Sequence, residues 1–190
     1  NWIIRFKAFF KILKIVDRNL NTITLTYNTL KQLQNITDTV GRKVTLGYDS
    51  QNRIVSATNP LGKIYKYTYD SNNNLISVTD PKAGVLSYAY DANHNLIKKT
   101  LPTANIVTFS YDTSDRCTSS SRENNYEKVT LTFEPQSSRT IVTNSRNYPT
   151  TYYYNSDYQL IDVVDSHNNH VTSTWDTNLN LLLRTDALGH

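Results

Sequence analysis

Tyr65-Lys66-Tyr67-Thr68-Tyr69-Asp70-Ser71-Asn72-Asn73-Asn74-Leu75-Ile76-Ser77-Val78-Thr79-Asp80 is the stretch on which the fold turns. Tyr65, Tyr67 and Tyr69 alternate with polar residues, the period of a strand with one buried face. Asp70 to Asn74 is a run of side chains that bond their own backbone and tolerate positive φ, so it reads as a turn. A second short strand follows from Leu75, and the stretch is a β-hairpin.

The hairpin recurs along the chain. The aromatic that ends its first strand has counterparts at Phe6, Tyr27, Tyr48, Tyr69, Tyr90, Tyr111, Phe133, Tyr154 and Trp175. Successive anchors are 21 residues apart, except that Tyr111 and Phe133 are 22 apart. Asn28, Asp49, Asp70, Asp91, Asp112, Asn155 and Asp176 follow the anchors directly. Six residues after the anchor an apolar residue opens the return strand, as at Ile12, Leu33, Ile54, Leu75, Leu96, Leu160 and Leu181. Eleven residues after it an acid or amide opens a second turn: Asp17, Asp38, Asn59, Asp80, Asn144, Asp165 and Asp186. In Asn59-Pro60-Leu61-Gly62 the amide, the proline and the glycine suit positions i, i+1 and i+3 of a type I turn. Gly41 and Gly189 take the same place as Gly62, and Gly84 is displaced by one.

These spacings predict an all-β chain, an array of antiparallel hairpins with a 21-residue period, read as one repeat domain over 1–190 with about eight repeats. The anchor and the residues two and four before it share a face, as in Ile23, Leu25, Tyr27 or Leu86, Tyr88, Tyr90, and this apolar, aromatic face is expected to be covered only where the strip rolls on itself or further chain completes the wall. Thr45, Lys66, Thr68, Ser87 and Thr108 point the other way. About sixteen strands at roughly 4.8 Å each make a strip near 75 Å long, too many strands to stay flat, so a curved sheet is expected.

Two regions depart from the pattern. Residues 1–16 carry Lys7, Lys11 and Lys14, continued by Arg18, at helical spacing among Trp, Ile, Phe and Leu, which fits an amphipathic leader. The same residues place Phe6, Ile12 and Asp17 at the repeat positions, which fits a degenerate first repeat. The repeats are also degenerate over 101–150, where Leu101 replaces the acid and Cys117 the leucine. The extra residue falls in Ser119 to Asn125, expected as a longer surface loop.

Composition excludes more than it assigns. With 20 Lys and Arg against 16 Asp and Glu the net charge is +4, but the basic residues are scattered, which argues for a solvated surface and against nucleic acid. A hydrophobic fraction of 38% that includes 14 Tyr suits half-buried strands better than a deep core. No stretch has the roughly 18 uncharged apolar residues of a membrane span. The single Cys117 forms no internal disulfide, and the absence of Met together with the end at His190 implies a piece of a longer polypeptide.

With anchors, turns and period in place, the chain resembles the YD-repeat or Rhs-repeat family, best at Tyr48-Asp49, Tyr69-Asp70, Tyr90-Asp91 and Asn59-Pro60-Leu61-Gly62. The resemblance implies part of a spiralling β-shell, as in bacterial Rhs polymorphic toxins and the C component of insecticidal toxin complexes, which hold a C-terminal toxin, and as in teneurin-like barrels. It implies a non-enzymatic, structural segment, secreted or at a bacterial cell surface. Its partners would be the remaining repeats, an enclosed toxin polypeptide and a component of a secretion apparatus. The alternative is a cell-surface adhesion or carbohydrate-binding module.

No catalytic, cofactor or metal residues are assigned. Asp70-x-Asn72-x-Asn74, Asp91-x-Asn93-x-Asn95 and Asp176-x-Asn178-x-Asn180 look like the start of a calcium loop, but Leu75 and Pro81 stand where that loop needs Gly and Glu, so they read as turns. His167 and His170 lack a third ligand and read as exposed loop residues, and Cys117 reads as a half-buried thiol.

Overall fold

The computed structural model describes residues 3–7, 11–123 and 127–190, with residues 3–7 described by their backbone. Among them the chain forms eighteen β-strands. It divides into two compact units, Asn1–Tyr88 and Ala89–His190.

The first unit holds β1 (Ile3–Lys7), β2 (Lys11–Val16), β3 (Thr22–Tyr27), β4 (Leu33–Asp38), β5 (Lys43–Tyr48), β6 (Ile54–Thr58), β7 (Ile64–Tyr69) and β8 (Leu75–Thr79). β9 (Val85–Tyr90) spans the division. The second unit holds β10 (Leu96–Thr100), β11 (Ile106–Tyr111), β12 (Cys117–Arg122), β13 (Val129–Glu134), β14 (Arg139–Thr143), β15 (Pro149–Tyr154), β16 (Leu160–Val164), β17 (His170–Trp175) and β18 (Leu181–Thr185). Within each unit every strand pairs antiparallel with the strand before it and the strand after it in sequence. Residues 3–7 and 11–16 pair in the same way.

The turns explain why so polar a chain folds into strands. Fifteen of them share one form: the N–H of residue i donates to the carbonyl of i+4, and the N–H of i+3 to the carbonyl of i. In all but the turn opened by Leu101, residue i is an acid or amide, and its Oδ1 accepts further backbone N–H groups, as Asp70 does from Asn72 (2.9 Å) and Asn74 (2.8 Å). This is a type I turn followed by one left-handed residue, a loop that hands the chain straight into the antiparallel return. Gly62 is that left-handed residue, at φ 73°, in the turn read from Asn59-Pro60-Leu61-Gly62. Where Gly84 was displaced, Ala83 takes the left-handed conformation instead, at φ 67°. Leu20, Lys31, Ala104, Tyr158 and Leu179 do the same. The hydrogen bonds of each turn fix the backbone whatever residue stands there, and at Ala104 the two backbone bonds alone do so.

One feature differs from the sequence expectation. Ser119 to Arg122 belong to β12 rather than to a surface loop, because they continue the ladder on β11, with Thr108 opposite Ser121 and their hydroxyls 3.0 Å apart. Asn124 and Asn125, the rest of that expected loop, lie outside the described residues. No described residue is buried, so nothing in the described chain covers the aromatic face. Ile23 and Tyr65 on that face are 38% and 39% exposed. The chain exposes 13689 Å², whereas even two separate globules sharing its 21.8 kDa would expose about 11,200 Å². Each unit is a single layer of sheet in which neither face carries a second layer.

Candidate functional site

The repeat itself is the candidate site, and the anchor aromatics organise it. Six first strands meet their return strands with one residue slipped at the anchor, between Thr26 and Tyr27, Gly47 and Tyr48, Thr68 and Tyr69, Ser110 and Tyr111, Tyr153 and Tyr154, and Thr174 and Trp175. This β-bulge leaves Ile76, for example, without a direct partner while Tyr69 stands opposite Leu75. The same slip occurs in the backbone between Arg5 and Phe6.

From that position the anchor reaches back to the preceding repeat. The Tyr27 hydroxyl donates to the Ile12 carbonyl at 2.8 Å, Tyr48 to Leu33 at 2.7 Å, Tyr69 to Ile54 at 2.8 Å and Tyr111 to Leu96 at 3.0 Å. Trp175 does the same with its ring N–H, to the Leu160 carbonyl at 2.8 Å. The acceptor is in every case the residue six after the previous anchor. A cation of that previous repeat covers the ring: Lys11 Nζ lies 4.6 Å from the Tyr27 centroid, and the Arg53 guanidinium 4.6 Å from that of Tyr69. Tyr90 ends β9, and Tyr154 ends β15. All eight anchors from Tyr27 to Trp175 are half-buried. Burial, ahead of the neighbouring Cys117 and Asp91, pushes the Tyr111 phenol up.

A second set of bonds joins successive first turns. Gln32 Nε2 donates to Asn52 Oδ1 at 2.8 Å, Arg53 Nη1 to Asn73 Oδ1 at 2.9 Å, and Asn95 Nδ2 to Asp115 Oδ1 at 2.7 Å. The acceptors are the left-handed turn residues, so Asn or Asp there serves both the backbone conformation and the bond to the repeat before it.

The carboxylates are consumed by their own turns. Asp91 and Asp176 accept from two backbone N–H groups and from Asn95 and Asn180 side chains, as Asp70 does from Asn74. That is the arrangement of a turn, and no group of three or more metal-ligating side chains exists among the described residues. His167 is exposed in a turn, with its ring 6.4 Å from that of Tyr148. His170 opens β17 with Nδ1 2.8 Å from Asp162 Oδ2. Cys117 is half-buried, and its thiol donates to the Ser119 carbonyl.

The same bonds hold turn carboxyls below their ordinary range. The Arg116 side chain acts first on Asp112, the Arg53 backbone N–H on Asp49, and the Asn169 and Asn180 amides on Asp165 and Asp176. A carboxyl depressed in the folded state stabilises fully above its unfolded value of 3.8 and loses that contribution as pH falls through the folded value. The urea midpoint is therefore expected to be flat above about pH 5 and to drop steeply below about pH 4. The shared turn makes the loss collective, whereas the turns opened by Asn28, Asn59, Asn144 and Asn155 do not titrate. A midpoint unchanged down to about pH 2 would contradict this role of the carboxylates.

The RHS repeat family matches four overlapping stretches, residues 27–64, 49–85, 69–106 and 90–125. Together they span 27–125, more than half of the 190 residues. The chain belongs to the RHS repeat family. The RHS repeats resemble solved Tc toxin structures over nearly their whole length. A TcdB2-TccC3-TEV complex matches 97% of the chain with a TM-score of 0.72 at 12% identity, over 11% of its own length. TcdB2-TccC3 without the hypervariable C-terminal region matches 99% with a TM-score of 0.61 at 13% identity, over 15% of its length. The Tc holotoxin pore of Photorhabdus luminescens, with a substituted TccC3, matches 97% with a TM-score of 0.55 at 14% identity, over 13% of its length. Identities this low carry the fold alone, and the chain spans only about a ninth to a seventh of those solved chains. No curated protein sequence matches it. Among the described residues no helix is long and apolar enough to cross a membrane.

Proposed function

We propose that this RHS repeat array is a non-enzymatic wall segment of a bacterial β-shell that encloses a toxin or other polypeptide cargo, in a protein that is exported or displayed at the cell surface. The observation that carries this reading is the single layer: each unit pairs its strands only with their neighbours in sequence and leaves both faces uncovered. A wall needs that construction, since one face meets solvent and the other meets contents. The family membership and the Tc-like fold support it. In this reading residues 1–190 are one continuous repeat array, 1–16 are its degenerate first member, and the anchors from Phe6 to Trp175 pin each repeat to the last. Further repeats, the cargo and a secretion component are the partners. The mechanism is steric: a closed sheet keeps proteases and cellular targets from the contents.

Limited proteolysis of the full-length parent polypeptide tests this. The enclosed segment is expected to outlast the same segment expressed alone. Thr68→Pro, which removes an N–H in β7 and cannot adopt the ladder geometry, is expected to speed its digestion at least about tenfold. Equal digestion with and without the wall would overturn the proposal, as would a parent polypeptide with no further segment to enclose.

A further inference from the structure

The two margins of the sheet differ in the first unit. An antiparallel chain turns at alternate ends, so the turns over 17–21, 38–42, 59–63 and 80–84 stand at one margin and those over 28–32, 49–53 and 70–74 at the other. Successive turns on one margin are two strands apart, roughly 10 Å. At the first margin three successive tips hold an aliphatic side chain out in solvent: Leu20, Val40 and Leu61 are 76%, 75% and 82% exposed. Ile64 and Val85, which open β7 and β9 beside the same turns, are exposed as well. At the opposite margin Leu33, Ile54 and Leu75 open the return strands and are half-buried, and Leu30 is the one exposed large apolar residue described there.

Cations accompany the tips. Arg18, Arg42, Lys43, Lys63 and Lys82 lie in or beside these turns, against the carboxylates of Asp17, Asp38 and Asp80. Those carboxylates bond the backbone of their own turns, as Asp80 accepts from the N–H groups of Lys82 (2.7 Å) and Gly84 (2.9 Å). Of the five cations, only Arg42 is in an ion pair among the described residues, with Asp38. A cleft of about 470 Å³ between the second and third tips is flanked by Arg42 and Lys43, and one of about 370 Å³ between the third and fourth by Lys63 and Lys82. The opposite margin sets Lys31 and Arg53 against Asp49 and Asp70, so its charges balance. Separate convex aliphatic tips with cations between them suit an anionic lipid surface. Lipid chains part around a side chain wherever it arrives, whereas a protein partner needs a pocket for every tip at the same pitch, and lipid phosphates meet the cations.

We propose that this margin of the first unit binds the headgroup layer of an anionic membrane, with Leu20, Val40 and Leu61 inserted and Arg18, Lys43, Lys63 and Lys82 on the lipid phosphates. The proposal does not rest on the cargo reading. Flotation of the full chain with phosphatidylcholine vesicles containing about 30% phosphatidylglycerol tests it. Binding is expected to be at least about tenfold tighter than to phosphatidylcholine alone, and to weaken severalfold in about 0.5 M salt. Leu61→Asp is expected to weaken it about tenfold. That variant keeps the turn, because the side chain is exposed and a type I turn accepts most residues at this position. Leu30→Asp makes the same change at the same turn position on the opposite margin and leaves binding unchanged. Lys43→Gln combined with Lys63→Gln is expected to remove most of the preference for phosphatidylglycerol. Absence of binding to the phosphatidylglycerol vesicles would overturn the proposal in favour of an acidic protein partner. Equal binding to both kinds of vesicle, or an equal loss from Leu30→Asp, would overturn it too.

Discussion

Tyr69→Ala is expected to destabilise the chain by about 3 kcal/mol, and Tyr69→Phe by about 1 kcal/mol. The first removes a half-buried ring, its contact with the Arg53 guanidinium at 4.6 Å and its hydrogen bond to Ile54. The second removes the 2.8 Å hydrogen bond alone and leaves the Ile54 carbonyl to find water. If the tyrosine were only one apolar residue among many on a sheet face, Tyr69→Phe would be neutral. Urea midpoints followed by circular dichroism separate the two cases. Ile54 and Tyr69 belong to successive hairpins, so the loss is also expected to reduce cooperativity between neighbouring repeats.

Leu179→Asn is expected to stabilise the chain, by about 1–2 kcal/mol. Leu179 is left-handed at φ 68° and 61% exposed, so its side chain contributes little in return for a strained backbone. Its position in other repeats is held by Asn52, Asn73 or Asp115, each of which accepts a hydrogen bond from the repeat before. Here the donor would be Gln159, and its Nε2 is buried without a partner. One substitution relieves the backbone and satisfies that amide. In a Gln159→Leu background the gain is expected to shrink to the backbone part alone. An unchanged urea midpoint for Leu179→Asn would refute the account of both defects.

The hairpins and their turns were legible because the chemistry that sets them is local. Asp70 and its copies bond backbone groups two and four residues away, and such short-range signals survive in a single sequence. The anchors were visible by their period, but what they bond was not. Tyr69 touches a carbonyl fifteen residues earlier, across a slip of register that periodicity alone does not display. Its trace was nevertheless present in the odd period. Side chains alternate every two residues, so a 21-residue repeat turns its faces over each time unless one residue slips. Leu75-Ile76, Leu96-Ile97 and Leu160-Ile161, paired apolar residues where alternation should hold, mark the place. The serines of β12 misled for a different reason. Their weak strand preference was overridden by the partner strand β11, which no local window contains. The left-handed Leu20, Ala83 and Leu179 were hidden because the turn's hydrogen bonds, rather than the residue, dictate the angle.

Within each unit, strands pair only with their neighbours in sequence, and this settles how the chain answers to a pull on its end. Tension drawn along the polypeptide loads the outermost strand's ladder one hydrogen bond after another, as a zip is opened, because no distant segment crosses over to clamp it. Resistance to peeling then rises and falls once per hairpin, with the anchor's bond to the previous carbonyl as the tooth at each step. Such a sheet can be stiff against everything that strikes its face and still be drawn out by a motor that grips one end.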